Sequence, residues 1–217
     1  MKPIILFLAA MLAVSCNAEA QLEEKPVPKA PYLTPVPLKA HWTITLRHPG
    51  HTGESAKAGG AEPVASSFPV SIDVVKSAKV KQTTLSFPDG TTRRFDQVDP
   101  YLLVSSPAGV SLSILDNNTP PYPLYSDGFL FTNCVKLANY KDVATYKGIV
   151  CFHYQSNSGE AWVAVDSMLP VLAKEASGII AEYQFKAPPE SDLTLPPEEA
   201  AVLEKQQKAL KIFRELR

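Results

Sequence analysis

The sequence predicts a mainly β protein, an antiparallel meander with one C-terminal α-helix packed on it. Three observations carry this. Short apolar runs alternate with period two along most of the chain, turn residues separate them at regular intervals, and one helix start signal stands near the C-terminus. The densest stretch is Ala161 to Phe185, AWVAVDSMLPVLAKEASGIIAEYQF, which reads as three strands with a turn at each junction.

In chain order, Trp42, Ile44 and Leu46 fall on one face of a strand within His41 to His48, against Thr43, Thr45 and Arg47. Pro49 to Ser67 is rich in Gly, Ala, Ser and Pro and reads as a long loop. Val70, Ile72 and Val74 form the next apolar face. Lys79 to Phe87 and Thr91 to Val98 flank Pro88-Asp89-Gly90, a hairpin signal because the turn needs positive φ. Tyr101 to Ser105 and Val110 to Leu115 follow, the second aligning Val110, Leu112 and Ile114. Asp116 to Tyr125 is a further loop, Phe129 to Tyr140 suits a short helix or a strand, and Tyr146 to Tyr154 reads as a strand. In the next ribbon Ala161, Val163 and Val165 oppose Trp162, Ala164 and Asp166. Pro170 lacks the ladder N–H, which confines it to a strand start, edge or bulge, so a turn falls near Ser167 and Met168. After Ser177-Gly178, Ile179, Ala181, Tyr183 and Phe185 share a face. Leu193-Thr194-Leu195-Pro196-Pro197-Glu198-Glu199 then opens a helix over 197–217: Thr before the start, Pro in the first turn and acid at the positive end of the dipole. Leu203, Leu210 and Phe213, with Val202, Ala209 and Leu216, form its apolar stripe.

The 217 residues accommodate a single domain over 41–217 behind a leader and a linker. Met1-Lys2 and the apolar run Ile4 to Val14 have the charged start and short hydrophobic core of a secretory signal, too short for a stable span. Two cleavage readings stand side by side. Ala18-Glu19-Ala20 fits a cut after residue 20, and Leu12-Ala13-Val14-Ser15-Cys16 is similar to a bacterial lipobox, in which Cys16 would be acylated. Both make the protein exported, periplasmic or anchored at the outer membrane of a bacterium, with membrane association only through Cys16. Residues 21–40 alternate Pro with Val, Leu, Lys and Ala and read as a polyproline spacer. With a formal net charge of -1 and no basic cluster, the electrostatic footprint of nucleic-acid binding is missing.

Cys134 and Cys151 are the cysteines of the folded part, in a compartment where disulfides persist, and read either as a bridge or as two separate buried thiols. His48, His51 and Glu54, in HPGHTGE, are the nearest approach to a metal set. The intervening Pro and Gly leave their directions undefined, and the expectation is no metal and no cofactor. No nucleophile elbow, Ser-x-x-Lys pair, phosphate loop or HExxH stretch occurs, so no catalytic residue is assigned and the chain reads as a non-enzyme.

The exported start, the meander that never reads as closed, the Trp162 to Asp166 strand, Leu169-Pro170, Tyr183 to Phe185 and LTLPPE before the helix together are a familiar set. The chain resembles the LolA/LolB-like superfamily of periplasmic lipoprotein carriers, and more closely the small exported bacterial proteins grouped with it. The resemblance covers roughly Trp42 to the C-terminus. It implies a curved antiparallel half-barrel whose apolar concavity takes an acyl chain, a lipid or a lipoprotein. The residues expected to line that concavity are Trp42, Ile44, Leu46, Val110, Leu112, Ile114, Ile179, Tyr183 and Phe185. The rival expectation is an envelope assembly protein with a self-filled concavity and a protein partner.

Overall fold

The computed structural model describes residues 26–49, 68–106, 108–115 and 129–215. Among the described residues eleven strands build one sheet: β1 (Ala40–Arg47), β2 (Ser71–Lys76), β3 (Lys81–Ser86), β4 (Thr92–Val98), β5 (Tyr101–Ser106), β6 (Gly109–Ile114), β7 (Tyr140–Tyr146), β8 (Ile149–Ser156), β9 (Gly159–Ala164), β10 (Pro170–Glu175) and β11 (Ile180–Lys186). One helix, α1 (Pro197–Glu215), follows. The strand order is β6-β5-β4-β3-β2-β1-β11-β10-β9-β8-β7, with every neighbouring pair antiparallel. The chain therefore starts in the middle, meanders out to one edge at β6, crosses to the other edge at β7 and returns to lay β11 beside β1. The sheet is curved and unclosed, and among the described residues β6 and β7 are its edge strands. With the C-terminal helix after it, this is the mainly β, antiparallel architecture that the alternation and the helix start signal predicted.

The turns form where the residues demand them. In the β3–β4 hairpin Gly90 has φ +82°, Gly90 N–H donates to the Phe87 carbonyl at 3.0 Å, and the Asp89 carboxylate accepts from Thr91 N–H at 2.9 Å. Tyr146 to Tyr154, expected as a single strand, is broken by Lys147-Gly148, whose φ values of +48° and +83° make the tight turn between β7 and β8. Pro170 opens β10, where its missing N–H costs no ladder bond, and the register shifts there between Pro170 and Leu172. Phe129 to Tyr140, expected as a helix or a strand, is neither: turns lead to one 3-10 turn at Leu137–Asn139, and β7 begins at Tyr140. Thr132 and Asn139 spend their side chains on the backbone there, bonding the carbonyls of Phe129 at 2.9 Å and Cys134 at 2.8 Å.

Alternation gives the sheet two distinct faces. Ala40, Trp42, Ile44 and Leu46 share one with Ile72, Val74 and Leu85 on one side, and with Ala181, Tyr183, Ala173, Ala161, Val163, Phe152 and Tyr154 on the other. We call it the aromatic face. A second cluster, Tyr101, Leu103 and Leu203 with Val98, Val110, Leu112, Leu195 and Leu210, joins β4, β5 and β6 to α1 on the opposite face, the helix face. Each large apolar side chain fully buried in either cluster contributes roughly 1.5–3 kcal/mol.

Candidate functional site

The nine residues expected to line one surface do not share one. Antiparallel register pairs Trp42 with Phe185, Ile44 with Tyr183 and Leu46 with Ala181, so these and the adjoining Ile179 meet on the aromatic face. Followed outward without a register shift from β1 to β6, the same parity puts Ser111 and Ser113 on that face, opposite Val104 and Leu102. Val110, Leu112 and Ile114 therefore point the other way, beside Ser105, Leu103 and Tyr101, onto the helix face. The expected single lining is corrected to six residues on one face and three on the other. The physical reason is the period of two, which makes facing a matter of register across the four strands between β1 and β6.

The aromatic face is occupied by the protein's own side chains. The ring of Phe129 stands edge-on against three others, with centroids at 5.7 Å from Trp42, 5.9 Å from Tyr183 and 5.7 Å from Phe185. The Tyr183 hydroxyl donates to the Leu130 carbonyl at 2.6 Å, and burial pushes its pKa well above the ordinary tyrosine value. Leu130 and Cys134 are buried against the same cluster, and Tyr32, Leu33 and Val36 pack on it from the segment before β1. Sequence reasoning missed this covering segment; the available signal was FLFTNCV, an apolar run with neither helical nor strand period.

The helix face offers open space. Leu112 and Ile114 of β6, with Val202 and Ala209 of α1, floor a solvent-open groove of about 590 Å³, and Lys205 and Gln206 stand beside them. Lys205 has no ion-pair partner among the described residues. Next to this groove α1 begins over a buried polar cluster. Ser105 Oγ donates to Glu199 Oε1 at 2.6 Å, while Asp96, fully buried, receives Arg94 Nε at 2.7 Å, Arg94 Nη2 at 3.1 Å and Gln82 Nε2 at 3.1 Å. Burial raises the Glu199 carboxyl above its ordinary pKa and neighbouring Asp96 adds to this, against the lowering pull of Ser105 and Arg94.

Cys134 and Cys151 are free and buried, the second of their two sequence readings. Cys134 packs in the aromatic-face cluster, whereas Cys151 pairs with Ala164 on the parity of His153 and Trp162, so the sheet lies between the two sulfurs. Burial pushes both thiols up, which keeps them protonated and unreactive. His153 stacks on Trp162 at 4.5 Å and meets Asp142 at 3.2 Å, a structural setting. His51 and Glu54, and likewise Cys16, lie outside the described residues. Among the described residues no group of three metal-ligating side chains occurs, and no helix is long and apolar enough to cross a membrane.

No protein-family model matches the sequence, and no curated protein does. Among solved structures the chain is similar to the lipoprotein LppX of Mycobacterium tuberculosis, at 15% identity and a TM-score of 0.37, over 73% of this chain and 90% of that one. It is also similar to a LolA superfamily protein from Nitrosomonas europaea, at 11% identity and a TM-score of 0.35, over 75% of this chain and 90% of that one.

Proposed function

We propose that this is a non-enzymatic protein of the bacterial cell envelope that binds the acyl chain of a lipid or lipoprotein, and that the chain lies in the groove between β6 and α1. The observation that carries the reading is the groove itself. It is solvent-open, floored by Leu112, Ile114, Val202 and Ala209, and of a size common for small-molecule sites. Affinity comes from apolar burial at about 25 cal/mol per Å², reduced by the cost of ordering the ligand. Lys205, beside the apolar floor, suits an anionic headgroup. The aromatic face is the poorer location, because a ligand there must first displace Phe129 from three ring contacts. Export, and anchoring through an acylated Cys16, belong to the same proposal.

The test is native mass spectrometry with lipid extraction on protein taken from a bacterial envelope without detergent. A co-purifying acyl species that Ala209→Trp abolishes, in a protein whose melting temperature is kept, supports the reading. An acyl species indifferent to Ala209→Trp but lost when Phe129 is replaced moves the site to the aromatic face. The second reading is an assembly protein with a self-filled interior, which the edge-on seating of Phe129 favours. An empty protein that crosslinks to an envelope protein selects it.

A further inference from the structure

We propose that the seating of α1 on the sheet is a proton-dependent clamp: one proton shared between the carboxyls of Glu199 on α1 and Asp96 on β4 holds the first helical turn down, and its loss releases that turn. Glu199 is 1% exposed and Asp96 0%, an acid pair enclosed between helix and sheet. Arg94 and Gln82 satisfy Asp96. Among the described residues Glu199 is served only on Oε1, by Ser105, while its Oε2 is buried and accepts from no donor. The groups facing Glu199 are thus Asp96 and Arg94 from β4, Gln82 from β3 and Ser105 from β5, with Glu198 exposed beside it on α1. Two carboxyls share one guanidinium.

An ionised Glu199 would leave a buried anionic oxygen without a donor, next to a like charge. A proton on Oε2 resolves both difficulties, since the carboxylic acid can donate to the Asp96 carboxylate. The helix dipole favours an anion in the first turn, whereas burial and Asp96 disfavour one at Glu199. Because folding raises the proton affinity of Glu199, the clamp is complete below the ordinary value of 4.5 and is lost as pH rises through the raised folded value. Val202, Lys205, Gln206 and Ala209 are on the same helix, so releasing its first turn loosens one wall of the groove. The inference stands on the carboxyl pair and holds whether or not an acyl chain occupies that groove.

Amide hydrogen exchange across α1, read in the intact chain and in Glu199→Gln from about pH 4 to pH 9, tests it. Gln keeps an acceptor for Ser105 and supplies a neutral donor to Asp96. Taking wild type over variant at each pH cancels the intrinsic exchange chemistry. The ratio is expected to climb by up to about tenfold per pH unit between 4.5 and the raised folded value and to be flat on either side. Asp96→Asn removes the like charge but not the burial, so its own α1 opening should show a reduced slope over a narrower pH range. A wild-type ratio independent of pH, or a slope that survives unchanged in Asp96→Asn, overturns the clamp. Should Glu199→Gln fail to fold, Asp96→Asn against wild type decides alone.

Discussion

The hydroxyl of Tyr146, on edge strand β7, donates to Glu182 Oε1 on β11 at 2.9 Å, although β8, β9 and β10 lie between their strands. Four strand spacings in a flat sheet are about 19 Å, further than these two side chains reach. The β7–β8 hairpin is therefore folded back over the face that carries Glu182, and the sheet bends toward it at this end. Glu182 gathers Lys147 Nζ at 2.6 Å and Arg47 as well, so one carboxylate ties β1, β11 and the hairpin tip together. Across β11 this is the opposite face from Tyr183 and Phe185.

Removing that tie should loosen the hairpin more than the rest of the sheet. Tyr146→Phe deletes one hydrogen bond and should cost about 1 kcal/mol, and Glu182→Ala about 1–3 kcal/mol. Most of the latter comes from the Tyr146 bond, since Lys147 and Arg47 are largely exposed and screened. Urea unfolding of the two single variants and the double variant gives the coupling, and strictly additive costs would mean that the contact contributes nothing.

Phe129→Ala should cost about 3–5 kcal/mol, because it removes the central ring of the aromatic face. Trp42, buried against that ring, should report the loss by a red-shifted emission, while Trp162, stacked on His153 on the other face, should not move. Urea unfolding and fluorescence check it. A cost under 1 kcal/mol, or an unchanged spectrum, would contradict the packing described.

The thiols of Cys134 and Cys151 should both titrate with a thiol reagent after denaturation under non-reducing conditions, and both should react slowly in the native protein at about pH 8. Loss of both from the denatured count would mean a bridge, which the sheet between them does not permit.

Asp73 accepts from Thr43 Oγ1 at 2.7 Å, Lys186 Nζ at 3.1 Å and His41 Nε2 at 3.1 Å. Burial works to raise its carboxyl, and these three partners outweigh it, so its pKa lies below the ordinary 3.8. The stabilisation is therefore present above 3.8 and lost as pH falls through the lowered folded value. Asp73→Asn should flatten the acid side of a melting-temperature profile. An unchanged acid limb would remove Asp73 from the account.

Most strands were legible because each carries its own signals. Trp42, Ile44 and Leu46 alternate with polar residues, Asp89-Gly90 demands a turn, Pro170 is confined to a strand start, edge or bulge, and Pro197 with Glu198 and Glu199 opens a helix. These are interactions between near neighbours in the chain, where alternation and capping act. Lys147-Gly148 carried a turn signal of the same local kind that went unread, and the run from Phe129 to Val135 had no period to read.

Facing and enclosure were decided only when distant segments met. Leu112 and Ile114 alternate as cleanly as Ile44 and Leu46, yet register across β2 to β5 sends the two pairs to opposite faces. The meeting of Phe129 with Trp42 and Tyr183, of Glu199 with Ser105, and of Tyr146 with Glu182 joins residues 87, 54, 94 and 36 positions apart, by subtraction of their numbers. Local alternation sets which residues share a face within one strand; strand register, sheet curvature and helix docking set which strands' faces coincide. Those are properties of the assembled sheet.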